Sequence, residues 1–227
     1  FFNFLILRFV FIIKMYIYTF LMTAIKKNII LTGSEGLIGK AYRKFAEKKG
    51  HKVFSFEPSF FNLETLSRNI NLNNLSDNIT VFPIALNDIT KISKLNMSNN
   101  SWGSAHSTFD KEYMSSGKIM NTKFSYKTIG FSADDIAENL NIDQPTYIKI
   151  DVDGIEHLIL KGGLNFLKEK KIKSISVELN EKFQDQYNEV MNIMKISNFN
   201  LKHKKHCADF DKSVQFSKVY NFVFEKE

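Results

Sequence analysis

The chain has a single cysteine, Cys207. That excludes an intrachain disulfide and suits a reducing, cytoplasmic setting. No clean membrane-spanning run is present either. The most apolar stretch, residues 1–24 (FFNFLILRFVFIIKMYIYTFLMTA), is interrupted by Arg8 and Lys14, whereas a spanning helix needs roughly 20 nearly uncharged residues. It also lacks the small-residue cleavage site of a signal peptide. It reads as a hydrophobic N-terminal extension, with Met22 as an alternative start; the other readings are a membrane-associating helix and a helix packed on the domain. A clustered basic stripe is missing too. The net charge of +7 comes from lysines scattered over the whole chain, and Lys168–Lys173 (KEKKIK) suits a solvated helix end, so no nucleic-acid partner is expected. Internal repeats and linkers are absent, which leaves residues 25–227 as a single domain.

What is present is an alternation of strands and helices. Asn28–Leu31, Lys52–Phe56, Ile79–Leu86, Tyr147–Val152 and Lys173–Glu178 are short runs rich in β-branched and aromatic residues. Within the third, Pro83 marks an edge strand or a bend. Lys40–Lys49, Phe60–Leu72, Ser132–Leu140 and Gln184–Ser197 carry apolar residues at helical spacing, with Ser132 and Asp135 forming a near capping box. Phe199–Lys204 and Lys218–Phe224 close the chain as an antiparallel hairpin. The pattern predicts an α/β fold: a Rossmann-like, doubly wound and mostly parallel sheet ending in that hairpin. Residues 87–131 are the least regular part, with short strand-like pieces at Ile92–Met97 and Phe124–Thr128 and a polar stretch at Ser98–Ser107, the mark of a functional or disordered loop.

Three carboxylates, Asp151, Asp153 and Glu156, crowd the loop after the Tyr147 strand. Ligands in open α/β sheets bind at the carboxyl ends of strands. Close carboxylates repel unless a cation, a proton or donors offset them. Hard cations prefer oxygen ligands, but a metal is the minority reading of this loop, and none is expected. His203, His206 and Cys207 lack a fourth ligand for a metal site.

The first strand runs into a glycine turn, Gly33-Ser34-Glu35-Gly36-Leu37-Ile38-Gly39. Glycines there let the backbone approach a nucleotide closely. Glu57, at the end of the second strand, is placed to accept hydrogen bonds from both hydroxyls of an adenosine ribose. These features imply an adenosine-type cofactor without choosing between NAD and S-adenosyl-L-methionine.

Two resemblances bear on that choice. Residues 22–53, through TGSEGLIG and Gly50-His51, resemble the start of an NAD-dependent epimerase of the extended short-chain dehydrogenase type. Such enzymes use a Tyr-x-x-x-Lys pair, and no tyrosine here has lysine four residues on. From Phe54 onward the chain resembles the FkbM family of S-adenosylmethionine-dependent methyltransferases. Phe56-Glu57-Pro58, Asn62, Leu66, Asn69, Asn73, Ala85-Leu86, Lys149–Glu156 (KIDVDGIE), Leu160, Gly162 and Val177-Glu178 carry the likeness. The resemblance implies a class I methyltransferase fold. It implies that Glu57 and Pro58 meet the cofactor ribose, that Ala85 and Leu86 line the adenine, and that Asp151, Asp153 and Glu156 sit beside the methyl group. Gly33, Glu35, Gly36 and Gly39 would form the cofactor loop. Here the chain departs from the family, whose loop opens with an acid; Thr32-Gly33 stand near that place and Glu35 is the nearest carboxylate.

The expected activity is O-methylation of a hydroxyl on a small molecule or saccharide. Asp151, Asp153 and His106 are candidate bases, and Glu178 is a candidate for binding substrate hydroxyls. The alternatives are an NAD(P)-binding epimerase or reductase and an inactive nucleotide-binding module. No oligomeric state is implied.

Overall fold

The computed structural model describes residues 28–32, 51–102, 105–140, 142–206 and 217–226. The glycine turn, the expected helix over 40–49, the first 24 residues and Cys207 lie outside them.

Strands β1 (Asn28–Thr32), β2 (Lys52–Phe56) and β3 (Ile79–Phe82) run parallel to one another. Strands β8 (Tyr147–Ile150) and β9 (Ser174–Asn180) extend the sheet from the other side of β1, also in parallel. The C-terminal strands β10 (Asn200–His206) and β11 (Val219–Glu225) pair antiparallel, and β11 runs antiparallel to β9. The resulting seven-stranded order is β10-β11-β9-β8-β1-β2-β3. This is the predicted doubly wound sheet with its terminal hairpin. The strand order reverses between β1 and β8. Open α/β sheets take their ligands outside the carboxyl ends of the strands at such a reversal.

Four helices are described: α1 (Phe60–Leu72), α2 (Ala133–Asn139), α3 (Glu156–Lys161) and α4 (Gln184–Ile196). Two of them start at a serine cap. Ser59, extended at φ −78° and ψ 121°, caps α1 by accepting from the Asn62 amide at 3.4 Å. Ser132 caps α2 the same way, accepting from the Asp135 amide at 3.1 Å, while its hydroxyl donates to the Asp135 carboxylate at 2.7 Å. Such caps contribute about 1 kcal/mol each.

The core lies where α3 and α4 cover the apolar face of β8, β9 and β11. Ile148, Ile150, Ile175, Val177, Phe222 and Phe224 face Ile159, Val190 and Met194 in one buried cluster. Tyr187 meets Phe222 edge-on, with ring centroids 5.7 Å apart. Truncating one of these side chains to alanine removes about 2–5 kcal/mol.

Two expectations need correction. Ile79–Leu86 is not one strand: Pro83 separates β3 from β4 (Ala85–Leu86), which belongs to a second sheet. Proline cannot donate to a ladder, and the chain leaves the sheet there. Residues 87–131 hold strands where strand-like pieces are expected, at Ile92–Met97 and Phe124–Thr128, but they form a sheet rather than a loop. Strands β5 (Lys91–Met97), β6 (Ser107–Phe109) and β7 (Phe124–Phe131) join β4 in a four-stranded sheet ordered β4-β7-β5-β6. Leu95, Met97 and Phe109 are buried against the main core.

Candidate functional site

Glu57 follows β2 directly and is 4% exposed. Its Oε1 accepts from the Ser59 amide at 2.9 Å and its Oε2 from the Asn62 Nδ2 at 3.4 Å. The carboxylate thus sits over the start of α1, held by that helix's capping turn. Tyr126, on β7, grips the same turn. Its hydroxyl donates to the Pro58 carbonyl at 2.7 Å and accepts from the Phe60 amide at 3.1 Å, and its ring stacks on Phe60. Burial, with Glu57 nearby, raises the Tyr126 pKa. The sequence singled out Glu57 and Pro58 but not Tyr126, which lies 69 residues away from Glu57 on a strand of the unforeseen sheet.

Ala85 and Leu86 are buried in β4 and pair with Gly130 and Phe131. The next residue, Asn87, is 0% exposed, and neither atom of its side-chain amide has a hydrogen-bond partner. A buried amide left so costs about 1–3 kcal/mol. Its main chain is wedged against Gly162, where an added Cβ would stand 2.1 Å from the Asn87 carbonyl oxygen. Gly33, Glu35, Gly36 and Gly39 lie outside the described residues.

The three carboxylates of the loop after β8 take three different directions. Asp153 faces the second sheet. Its Oδ2 accepts the main-chain amides of His106 at 2.6 Å and Ser107 at 3.0 Å. Its Oδ1 stands 3.5 Å from the His106 Nδ1. His106 is a left-handed residue, φ 67°, with its side chain 38% exposed. The Asp153 carboxylate beside its ring raises its pKa above the ordinary 6.5, against the opposing effect of burial.

Asp151 turns the other way, its Oδ2 3.3 Å from the buried Lys149 ammonium. Lys149 donates to the Asn221 Oδ1, and Asn221 donates to the Glu178 Oε1 at 3.4 Å. Glu178 comes beside Asp151 because β8 and β9 keep register, Ile150 opposite Val177. Burial and the adjacent Asp151 charge push the Glu178 carboxyl up to about 8, despite Lys149. Near neutrality Glu178 therefore keeps its proton and can donate a hydrogen bond as well as accept one.

Glu156 points into the protein at 1% exposure. Its Oε2 accepts from the Gln186 Nε2 at 2.6 Å, and burial pushes its carboxyl well above the usual range. Gln186 also donates to the Gly154 carbonyl at 2.6 Å. The sequence carried a signal for Gln186: it shares the buried stripe of α4 with Val190 and Ile193, the place for an apolar residue. Behind this loop, Tyr113 packs edge-on against Phe183. Burial and the acids Glu156, Glu189, Asp110 and Asp88 push its hydroxyl up to about 12. Among the described residues, no group of three or more histidine, cysteine, aspartate and glutamate side chains is gathered to hold a metal. No described helix is long and apolar enough to cross a membrane.

The strand-order reversal between β1 and β8, an acid at the end of β2 and an acidic loop after β8 define the layout of a class I methyltransferase. The Methyltransferase FkbM domain matches residues 34–205, and the chain belongs to that family of S-adenosylmethionine-dependent methyltransferases. The fold is similar to that of methyltransferase FkbM from Methylobacillus flagellatus, with a TM-score of 0.59 at 19% identity over 88% of this chain. The chain spans only 43% of that protein's length. It is also similar to a candidate rRNA methylase from Clostridium thermocellum (TM-score 0.51, 9% identity, 93% of this chain and 91% of that one). A candidate tRNA (m1A22) methyltransferase from Streptococcus pneumoniae gives 0.50 at 13% identity, over 90% of this chain and 66% of that one. At such identities these likenesses concern the fold. No curated protein sequence matches.

Proposed function

We propose that the chain methylates a hydroxyl group of a small molecule or saccharide. S-adenosyl-L-methionine supplies the electrophilic methyl group. The residues present fit that cofactor: Glu57 offers a carboxylate to the ribose hydroxyls, and the unpartnered amide of Asn87, after Ala85 and Leu86, offers one donor face and one acceptor to an adenine edge. Gly33, Glu35, Gly36 and Gly39 complete the proposed cofactor set.

The observation that carries the reading is the hold of Asp153 on His106. An alcohol is a poor nucleophile until its proton has somewhere to go. The His106 Nδ1 stands 3.5 Å from the Asp153 carboxylate without a formed hydrogen bond; Nε2 is then the acceptor for a hydroxyl proton, and the nearby carboxylate stabilises the imidazolium so formed. Asp153 orients the ring and anchors the loop that bears it. Asp151 and Glu178 bind acceptor hydroxyls, one as acceptor and the other as donor. Glu156 shapes the loop from inside. Orientation of the two reacting groups supplies much of the rate in a displacement of this kind.

The test is transfer of a labelled methyl group from S-adenosylmethionine to a panel of saccharides and small hydroxylated compounds. Turnover lost in His106→Ala, with cofactor binding kept, supports the reading. Transfer only to RNA, or NAD binding in place of S-adenosylhomocysteine binding, overturns it.

A further inference from the structure

A buried side-chain amide on an otherwise apolar helix stripe is costly unless every polar atom finds a use. Gln186 is 1% exposed in the first turn of α4. Its Nε2 has two hydrogens, and both go to the loop after β8: one to the Gly154 carbonyl and one to the Glu156 Oε2, each at 2.6 Å. The His157 Nδ1 lies 3.5 Å from the same nitrogen. One side chain thus grips the loop at two points two residues apart.

The gripped turn has no slack. Gly154 has φ +114°, a conformation closed to ordinary side chains. A Cβ there would stand 2.9 Å from the carbonyl carbon and oxygen of Met114 and 3.0 Å from the Ser115 amide. The backbone is therefore pressed between the Met114–Ser115 loop on one side and held by Gln186 on the other. The Gly154 amide adds a 3.4 Å bond to the Glu156 Oε1. Asp153 is the residue just before this turn, and its carboxylate carries the main chain of His106 and Ser107.

We propose that Gln186 is a positioning residue: from α4 it fixes the Gly154 turn, so that Asp153 holds His106 where the acceptor hydroxyl is deprotonated. It touches no reacting atom. Its effect travels through two links, Gln186 to Gly154 and Asp153 to His106. Asp153 is the charged group facing the His106 ring, so the ring reports whether the second link is intact. This role rests on the proposed function for its purpose, but not for its detection.

The experiment is an NMR titration of the His106 ring in the full chain, in wild type, Gln186→Met and Gln186→Glu, with His106→Ala to assign the signal. Methionine keeps the length and volume of the side chain without its donors. Gln186→Glu keeps a donor only while protonated. In wild type the ring titrates above the ordinary value of 6.5. In Gln186→Met it moves down toward that value, while His203, on β10, titrates as in wild type. In Gln186→Glu the His106 shift is retained at the acid end of the range and lost at the alkaline end. Where the protein turns over, kcat of Gln186→Met falls about ten- to a hundredfold, with affinity for S-adenosylhomocysteine within about threefold of wild type. A His106 titration unchanged in folded Gln186→Met overturns the proposal, as does a loss of cofactor affinity in step with kcat. Failure of wild type to bind S-adenosylhomocysteine would instead refute the methyltransferase reading, and the titration would still decide the role of Gln186.

Discussion

The Asp153 Oδ2 accepts the main-chain amide of His106 at 2.6 Å across the gap between the two sheets. A carboxylate that bonds the main chain of a histidine and stands beside its ring sets its position and its proton affinity together. The His106 pKa is raised above 6.5 by this contact. As a base it works in its neutral form, so kcat rises with pH through a value above 6.5 and then levels. In Asp153→Asn the charge is gone, and the inflection shifts down toward 6.5 while the plateau falls. A pH–rate profile of the two proteins checks this. The same raised value stabilises the fold below the unfolded pKa, a contribution lost as pH rises through the folded one.

Glu178 tilts stability in the same direction, through burial rather than pairing. Its carboxyl titrates at about 8 in the folded chain, against an ordinary 4.5. Between these values the folded state binds more protons than the unfolded state, so stability falls as pH rises from about 4.5 to about 8. Glu178→Gln removes that slope. Denaturant melts at pH 5 and pH 8 should differ less in the variant than in wild type.

Gly162→Ala tests the seam between β4 and α3. The added Cβ would meet a main-chain oxygen, that of Asn87, at 2.1 Å. Backbone cannot swing aside as a flexible side chain does. The substitution should cost at least about 1–3 kcal/mol, the range for overpacking, read as a lower urea midpoint at constant slope.

Tyr126→Phe tests the second sheet's hold on the cofactor side. It deletes a hydroxyl that bridges the Pro58 carbonyl and the Phe60 amide. The loss of stability should be about 0.5–1.5 kcal/mol. Affinity for S-adenosylhomocysteine should drop severalfold, because the turn that seats Glu57 is loosened. Calorimetry on the variant measures both.

What the sequence revealed and what it hid follow the range of the forces involved. Lys52–Phe56 was legible because a strand-forming run ends at Glu57-Pro58, and Ser132 was legible because a cap and its partner lie three residues apart. The terminal hairpin followed from the short connection between two strands. Two strands of the second sheet were legible as the pieces Ile92–Met97 and Phe124–Thr128, but their pairing was hidden, because β4 pairs with Gly130 and Phe131, far along the chain, and no local signal records such a register. The carboxylates were visible as a cluster, but their directions were not. Asp153 reaches His106, Asp151 reaches Lys149 and Glu156 reaches Gln186 only through tertiary packing.

The measurement that bears most directly on the central claim is calorimetric titration of the protein with S-adenosylhomocysteine, and separately with NAD, in wild type and Glu57→Ala. The account predicts micromolar binding of S-adenosylhomocysteine, weakened by at least about tenfold in Glu57→Ala as two ribose hydrogen bonds to a charged group are lost. It also predicts no binding of NAD. Binding of NAD alone, or S-adenosylhomocysteine affinity indifferent to Glu57, would contradict it.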